Sequence, residues 1–417
     1  MSPNTPETLS ILIIGSGLGG LLLAQGLRRA SIPFHVFERD ADPSTRLQGY
    51  RIRVSGEGIT ALESTLPPEL FKRFEDTCAR VQLGGSTIVA QSAEEDTATP
   101  GHARHPTGGV FRHGSRKPYT PDRATMRGVL MEGLEGSITF GKAFVGYDVG
   151  EDGQAVTARF ADGSSARGSL LVGADGARSR VRKQYLGAAL RPVDTSGRVV
   201  YGKTPLTDEL KERMGDGLLD VMKLVEDKSR ADGVPVTCLY EPIRFPQRDE
   251  MEGLPEDYVY WVMVSKKETF GVADEELVRM TSEQAGKLAS KVAEEWYPRL
   301  RALFELTDPN QTAALRVLSM RPNMEAWEAL KEPVTLVGDS AHVMSPSGGL
   351  GAVTAFRDAA NLAKVLVENG GRVSAEAVGK YEQMMRNYAA EALELSRQGG
   401  VRFFNHPPFD KCEEVDV

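Results

Sequence analysis

Residues 9–27 constrain this chain more than any other stretch. An apolar run, Ile11-Leu12-Ile13-Ile14, leads directly into Gly15-Ser16-Gly17-Leu18-Gly19-Gly20. Glycines this dense make a poor centre for a membrane helix. A secretion signal is disfavoured too, because the first positively charged side chain, Arg28, follows the apolar run. The pattern therefore reads as a buried strand, a glycine turn and a helix reaching about Ala30. Gly15 permits the tight turn, Gly17 lets a pyrophosphate approach the backbone, and Gly20 lets the helix pack close to the sheet. The free N–H groups at the helix start suit phosphate oxygens. A second strand, Ile32 to Phe37, ends in Glu38, at the spacing where a carboxylate accepts hydrogen bonds from a ribose diol. That carboxylate also repels a 2′-phosphate, so the expected nucleotide is an unphosphorylated adenosine, as in NAD or FAD. This motif alone does not separate the two.

Two later segments repeat the arrangement of a buried strand ending in a glycine and an acid. Leu170-Leu171-Val172 runs into Gly173-Ala174-Asp175-Gly176, followed by Arg178, Arg180 and Arg182. Asp-Gly is a common turn, and Asp152-Gly153 and Asp162-Gly163 read as plain hairpin turns. The buried strand before Gly173 and the basic cluster after it set this segment apart. The third motif is Val334-Thr335-Leu336-Val337-Gly338-Asp339, then His342, then Pro346-Ser347-Gly348-Gly349-Leu350-Gly351-Ala352 opening a helix at about Val353. Asp339 at a strand end can accept hydrogen bonds from a polyol, and the Gly348–Ala352 backbone can offer donors to an electron-rich ring.

Taken together and in this order, the three motifs resemble those of single-component FAD-dependent monooxygenases of the p-hydroxybenzoate hydroxylase type, in their secondary-metabolite branch. The resemblance covers about Leu9 to Ser396. It implies an ADP half held by Gly15, Gly17, Leu18, Gly20, Glu38 and Arg39, with Asp175 and Gly176 in a fingerprint serving FAD and a transient nicotinamide. It places Asp339 on the ribityl chain and Gly349, Leu350, Gly351 and Ala352 beside the isoalloxazine. Gly49, Arg51 and Arg53 resemble a segment that lines the flavin. Arg123 and Arg127 match an Arg-x-x-Leu-Arg helix start whose first arginine contacts FAD, with Met126 in place of the leucine. One position departs: Val353 stands where many relatives carry an asparagine, which removes a hydrogen-bond donor.

The activity implied by the resemblance is NADPH- or NADH- and O2-dependent hydroxylation or epoxidation of an electron-rich, aromatic or polycyclic small molecule, through a flavin C4a-hydroperoxide on tightly but non-covalently bound FAD. Because that chemistry belongs to the cofactor, no Ser-His-Asp set is expected and no catalytic side chain is singled out. A flavin halogenase would need a WxWxIP segment, which Tyr260-Trp261-Val262-Met263 does not supply. An NAD-dependent dehydrogenase would leave the second and third motifs unused. An oxidoreductase of the same fold without oxygen insertion, or a non-catalytic nucleotide sensor, stays open.

The expected architecture is α/β: a discontinuous Rossmann-like FAD-binding domain (1–75, 106–190 and 321–372), an interleaved mixed β-sheet substrate domain (76–105 and 191–320) and a helical tail (373–417) on the nucleotide domain. Within the tail the helix is expected to run to about Arg397. Acidic residues outnumber basic ones, 58 to 50, for a net charge of -8, which argues against a nucleic-acid partner. Cys78, Cys238 and Cys412 form no CxxC pair, so no disulfide framework or zinc site is expected. A reducing, cytoplasmic setting without a membrane span fits best. Oligomeric state has no signature. His102, His105 and His113 cluster near Arg104 and Arg112 without carboxylate or cysteine partners, so no metal is expected. For His342 a positional role in the turn is expected over acid–base work.

Overall fold

The computed structural model describes residues 9–43, 51–82, 84–96, 116–151 and 153–416. Two mixed seven-stranded sheets organise them, joined by helices into an α/β fold. In the first sheet, Ser10–Ile14 lies between Phe34–Phe37 and Ser165–Gly173, parallel to both, and Val334–Leu336 adds in parallel on the far side of Ser165–Gly173. Strands Val156–Phe160 and Phe144–Val149 extend that sheet in antiparallel fashion. Their hairpin turns carry Gly153 and Gly163 at positive φ. Residues Ile11 to Ile14 are almost wholly buried, as strands covered on both faces require. With Ile138–Thr139 added in parallel beside Phe34–Phe37, five parallel strands end in register at Thr139, Phe37, Ile14, Gly173 and Leu336. The segments that follow therefore collect along one carboxyl-terminal edge, where open α/β sheets bind ligands.

The second sheet runs in the order Ala313–Ser319, Val193–Pro205, Tyr258–Lys266, Val236–Ile243, Met222–Asp227 and Gly85–Val89. Its alternation divides two environments. Tyr240, Trp261 and Met263 point into a core closed by helices Ser282–Val292 and Pro298–Glu305, where Trp261 meets Phe304 edge-on at 5.0 Å. Leu224, Leu239 and Val262 occupy the opposite face. Glu241 and Tyr260 share that face, being directly paired across the ladder.

The tail differs from the expectation that it packs on the nucleotide half and ends near Arg397. Helix Ala375–Phe404 is 30 residues long, which at ~1.5 Å per residue spans ~45 Å. Tyr381, Met385 and Tyr388 pack with helix Gly351–Glu368, whereas Phe403 and Phe404 join Val199, Leu224, Val264 and Val317 of the second sheet. Glu413–Glu414 then pairs with Val193–Pro205. Gly399 does not break the helix; a Cβ there would lie 2.8 Å from the Ser347 carbonyl oxygen, so the glycine admits the Ser347 loop against the helix.

Candidate active site

The strand ends of the three motifs, with that of the second strand, converge on one cleft of roughly 630 Å³ between the sheets. From the first motif come Gly15, Gly17, Leu18 and Gly20; from the second strand, Glu38 and Arg39; from the second motif, Asp175; and from the third, Asp339 with Gly349, Leu350, Gly351 and Ala352. Arg51, Arg53 and Arg123 line the same cleft. Gly49 lies outside the described residues, as do His102, Arg104, His105, Arg112 and His113. Every other residue singled out for cofactor contact thus faces a single space.

The glycines of the first turn are dictated by closeness. Gly15 has φ 109°, and a Cβ on it would stand 2.4 Å from the Ala174 carbonyl oxygen; one on Gly20 would stand 2.3 Å from the Gly15 oxygen. Both distances are below any tolerable contact, so the first and second motifs meet only because side chains are missing here. Glu38 ties the next strand to this turn. Its Oε2 accepts from the Ser16 N–H and hydroxyl, both at 2.8 Å, and its Oε1 accepts from the Asp40 N–H at 3.1 Å.

Arg123 and Arg127 sit on helix Arg123–Met131, capped by Asp122, whose carboxylate accepts from Ala124 N–H at 2.9 Å and Thr125 N–H at 3.2 Å. Arg123 lines the cleft; Arg127 instead donates to the Ser16 carbonyl at 3.1 Å and the Ser16 hydroxyl at 2.7 Å, bracing the turn from behind. Asp175 faces the cleft and also braces the start of helix Arg180–Leu186, accepting from the hydroxyl of its N-cap Ser179 and from Arg180 N–H at 2.8 Å. Burial pushes its carboxyl above the usual range despite these donors.

Asp339 is open to the cleft; desolvation by the protein packed around it raises its carboxyl too, against the lowering influence of His342, Arg123 and Arg182. Gly351 would place a Cβ 3.9 Å from Asp339 Oδ1, so carboxylate and loop are adjacent. Behind them lies a polar core that the sequence reading did not find. Asp358, wholly buried, accepts from Gly338 N–H, His342 Nε2 and the Tyr388 hydroxyl, each at 2.6 Å. Burial disfavours protonated His342, but Asp358 and Asp339 outweigh it and hold the imidazole above its ordinary value. His342 does not reach the cleft. It stands in the short helix Asp339–His342 that begins with Asp339. Val353 is likewise turned from the cleft lining, towards Gly58 and Val54.

At the far side of the cleft, Arg51 and Arg53 reach the second sheet. Both guanidinium groups engage Glu241, Arg51 at Oε2 and Arg53 at Oε1 (2.5 Å). Burial and the neighbouring Arg51 charge pull the Arg53 guanidinium below its ordinary value. Phe144, Lys142, Arg178, Arg180 and Tyr260 also line the cleft; they come from strands, turns and a helix start with no sequence signature, although the basic cluster hinted at the two arginines. Among the described residues no group of three or more His, Cys, Asp or Glu side chains could hold a metal, and no helix is long and apolar enough to cross a membrane.

Comparison with known proteins agrees with this geometry. Residues 13–80 match an NAD(P)-binding Rossmann-like domain and residues 260–396 an FAD binding domain. The dual O-methyltransferase/FAD-dependent monooxygenase CTB3 of Cercospora beticola is 38% identical over 99% of this chain and 48% of its own length. The FAD-dependent monooxygenase thnD of Trichoderma harzianum is 27% identical over 93% of this chain and 90% of its own. A crystal structure of Klebsiella pneumoniae HpxO complexed with FAD and uric acid shares the fold at a TM-score of 0.70 and 18% identity, covering 97% of this chain and 90% of that one. The chain spans about half the length of the first of these relatives. The chain thus carries an FAD-binding domain and an NAD(P)-binding Rossmann-like domain, and it is similar to proteins that include the fungal FAD-dependent monooxygenases.

Proposed function

We propose that this chain is an NAD(P)H- and O2-dependent flavin monooxygenase that hydroxylates or epoxidises an electron-rich aromatic or polycyclic small molecule. The observation that carries the reading is the meeting of three separate strand-end motifs on one cleft, at glycines where a Cβ would strike backbone oxygen. That cradle fits FAD. Gly15, Gly17, Leu18 and Gly20 would hold the pyrophosphate against the helix start, Glu38 and Arg39 the adenosine side, Asp339 the ribityl hydroxyls and Gly349–Ala352 the ring. When bound, FAD supplies hydride acceptance and oxygen activation.

The chain's own part is orientation and exclusion. Arg127 and Glu38 fix the glycine turn through Ser16, and Asp358 fixes the Gly338 turn. The second sheet brings Tyr260 over the opposite wall, closing a space in which a substrate carbon can be held against the ring and away from water. Consumption of NADPH or NADH by purified protein, coupled to O2 uptake and to incorporation of labelled oxygen into an aromatic product, tests the reading. Reductant oxidation yielding only hydrogen peroxide across a panel of phenols and naphthols would contradict oxygen insertion.

A further inference from the structure

One buried carboxylate stands where three walls of the cleft meet. Asp122 is 1% exposed and accepts four hydrogen bonds. Its Oδ1 takes the Ala124 and Thr125 N–H groups at the start of helix Arg123–Met131. Its Oδ2 takes Lys203 Nζ at 2.6 Å and the Tyr258 hydroxyl at 2.8 Å, both from the second sheet. The Lys203 ammonium also lies over the Tyr258 ring, 4.4 Å from its centroid. Burial and the Asp122 charge hold the Tyr258 hydroxyl well above its ordinary value, so it stays a donor through the neutral range. A helix cap alone is worth about 1 kcal/mol and a serine would supply it. Burying an ion pair adds little net stability to that. What it adds is geometry, and each neighbour of the cluster lines the cleft. Arg123 is the next residue, Arg51 forms a β-bridge with Asp122, and Tyr260 is the cross-strand partner of Lys203. Arg123 is in turn close enough to Asp339 to lower its carboxyl.

We propose that Lys203 and Tyr258 are positioning residues for the cofactor, holding Asp122 and through it the helix start that presents Arg123 to the cleft; the assignment rests on the flavin reading. Asp122, Lys203 and Tyr258 do not themselves line the cleft, so their action on it is indirect. With both sheet donors in place, the Asp122 carboxylate has one orientation, and its other oxygen meets the two helix N–H groups squarely. Without them a buried carboxylate oxygen is left unanswered. The side chain then turns towards other donors, the helix start loosens and Arg123 loses its fixed approach. The same contact sets the spacing between the helix and the second sheet, which keeps Tyr260 opposite Arg123 at a constant distance.

A double-mutant cycle on FAD affinity, read by flavin fluorescence on the full chain freed of cofactor, separates this role from a merely structural one. Arg123→Gln is expected to weaken FAD binding about tenfold, and Lys203→Met by a similar factor. Because Lys203 acts through Arg123, adding Lys203→Met to Arg123→Gln should cost less than about twofold more. Tyr258→Phe keeps the ring and removes one donor; it should lose about threefold alone and nothing further in the Arg123→Gln background. Lys203→Arg, which keeps a cationic donor for Asp122, should retain more affinity than Lys203→Met. Losses that multiply in full between the two positions, or wild-type FAD affinity in folded Arg123→Gln, Lys203→Met or Tyr258→Phe protein, overturn the assignment and leave the flavin reading intact. A folded wild-type protein that takes up no FAD instead contradicts the flavin reading itself. If Lys203→Met does not fold, the Tyr258→Phe cycle decides the matter.

Discussion

Replacing Asp358 by Asn keeps the size of the side chain and removes only its charge, which isolates what that charge does. Asp358 receives three hydrogen bonds of 2.6 Å, from the backbone of Gly338, from His342 and from Tyr388, and is wholly enclosed. Asparagine can still accept from some of these donors, but its amide presents N–H groups to at least one of them, and the partner charge of His342 is lost. Breaking one side of a buried ion pair typically costs about 3–5 kcal/mol. A loss in that range is expected by urea titration of the holoenzyme, together with weaker FAD retention, because the Gly338 N–H anchors the turn that carries Asp339. The pH dependence supplies a second signature. His342 is held above its ordinary value, so its contribution is fully present below the unfolded value of ~6.5 and disappears as pH rises through the folded value. The wild type should lose stability over that rise, and Asp358→Asn should show no such step. A variant within about 0.5 kcal/mol of wild type, the range of ordinary surface substitutions, with the same pH profile and the same FAD affinity, would refute the reasoning.

Three other outcomes are expected. Gly20→Ala drives a methyl group to 2.3 Å from the Gly15 carbonyl oxygen, so the protein should lose FAD or fail to fold; equilibrium dialysis against FAD checks this. Glu38→Gln weakens the charge-assisted bonds to Ser16 and should reduce FAD affinity by about tenfold, measured by flavin fluorescence. Arg198→Gln removes the fully buried guanidinium that bridges Asp194 and Asp274 at 2.7–2.9 Å. It should destabilise the second sheet by about 3–5 kcal/mol and leave the FAD affinity of the folded protein unchanged, in a denaturation series paired with FAD titration.

Local pattern made much of the cleft readable. Each wall is a continuous segment, strand then glycine then acid, whose purpose shows within about ten residues of sequence. Parallel strands place such segments along one edge, so Gly15, Asp175 and Asp339 could be grouped before their distances were known. Contacts made across the chain were not readable. Asp358 lies in the middle of an ordinary amphipathic helix, and nothing around it announces that it binds Gly338, His342 and Tyr388. Arg127 looked like a weaker copy of Arg123, yet it grips Ser16, 111 residues away. Arg51 and Arg53 were grouped with the flavin by motif; their contact with Glu241, 188 residues from Arg53, depends on how the two sheets face each other. The tail misled for a physical reason. Gly399-Gly400 lies within the helix, where a Cβ would crowd Ser347 and Phe404, and a two-residue strand such as Glu413–Glu414 carries no periodicity to detect.

All of this turns on one cofactor in one cleft, and the visible absorption spectrum of the purified wild-type protein, followed by identification of the released chromophore, tests it most directly. The account predicts a yellow protein with flavin bands that releases intact FAD in equimolar amount on denaturation, or a colourless preparation that binds added FAD and acquires those bands. A folded protein that neither carries nor takes up FAD would contradict the central claim.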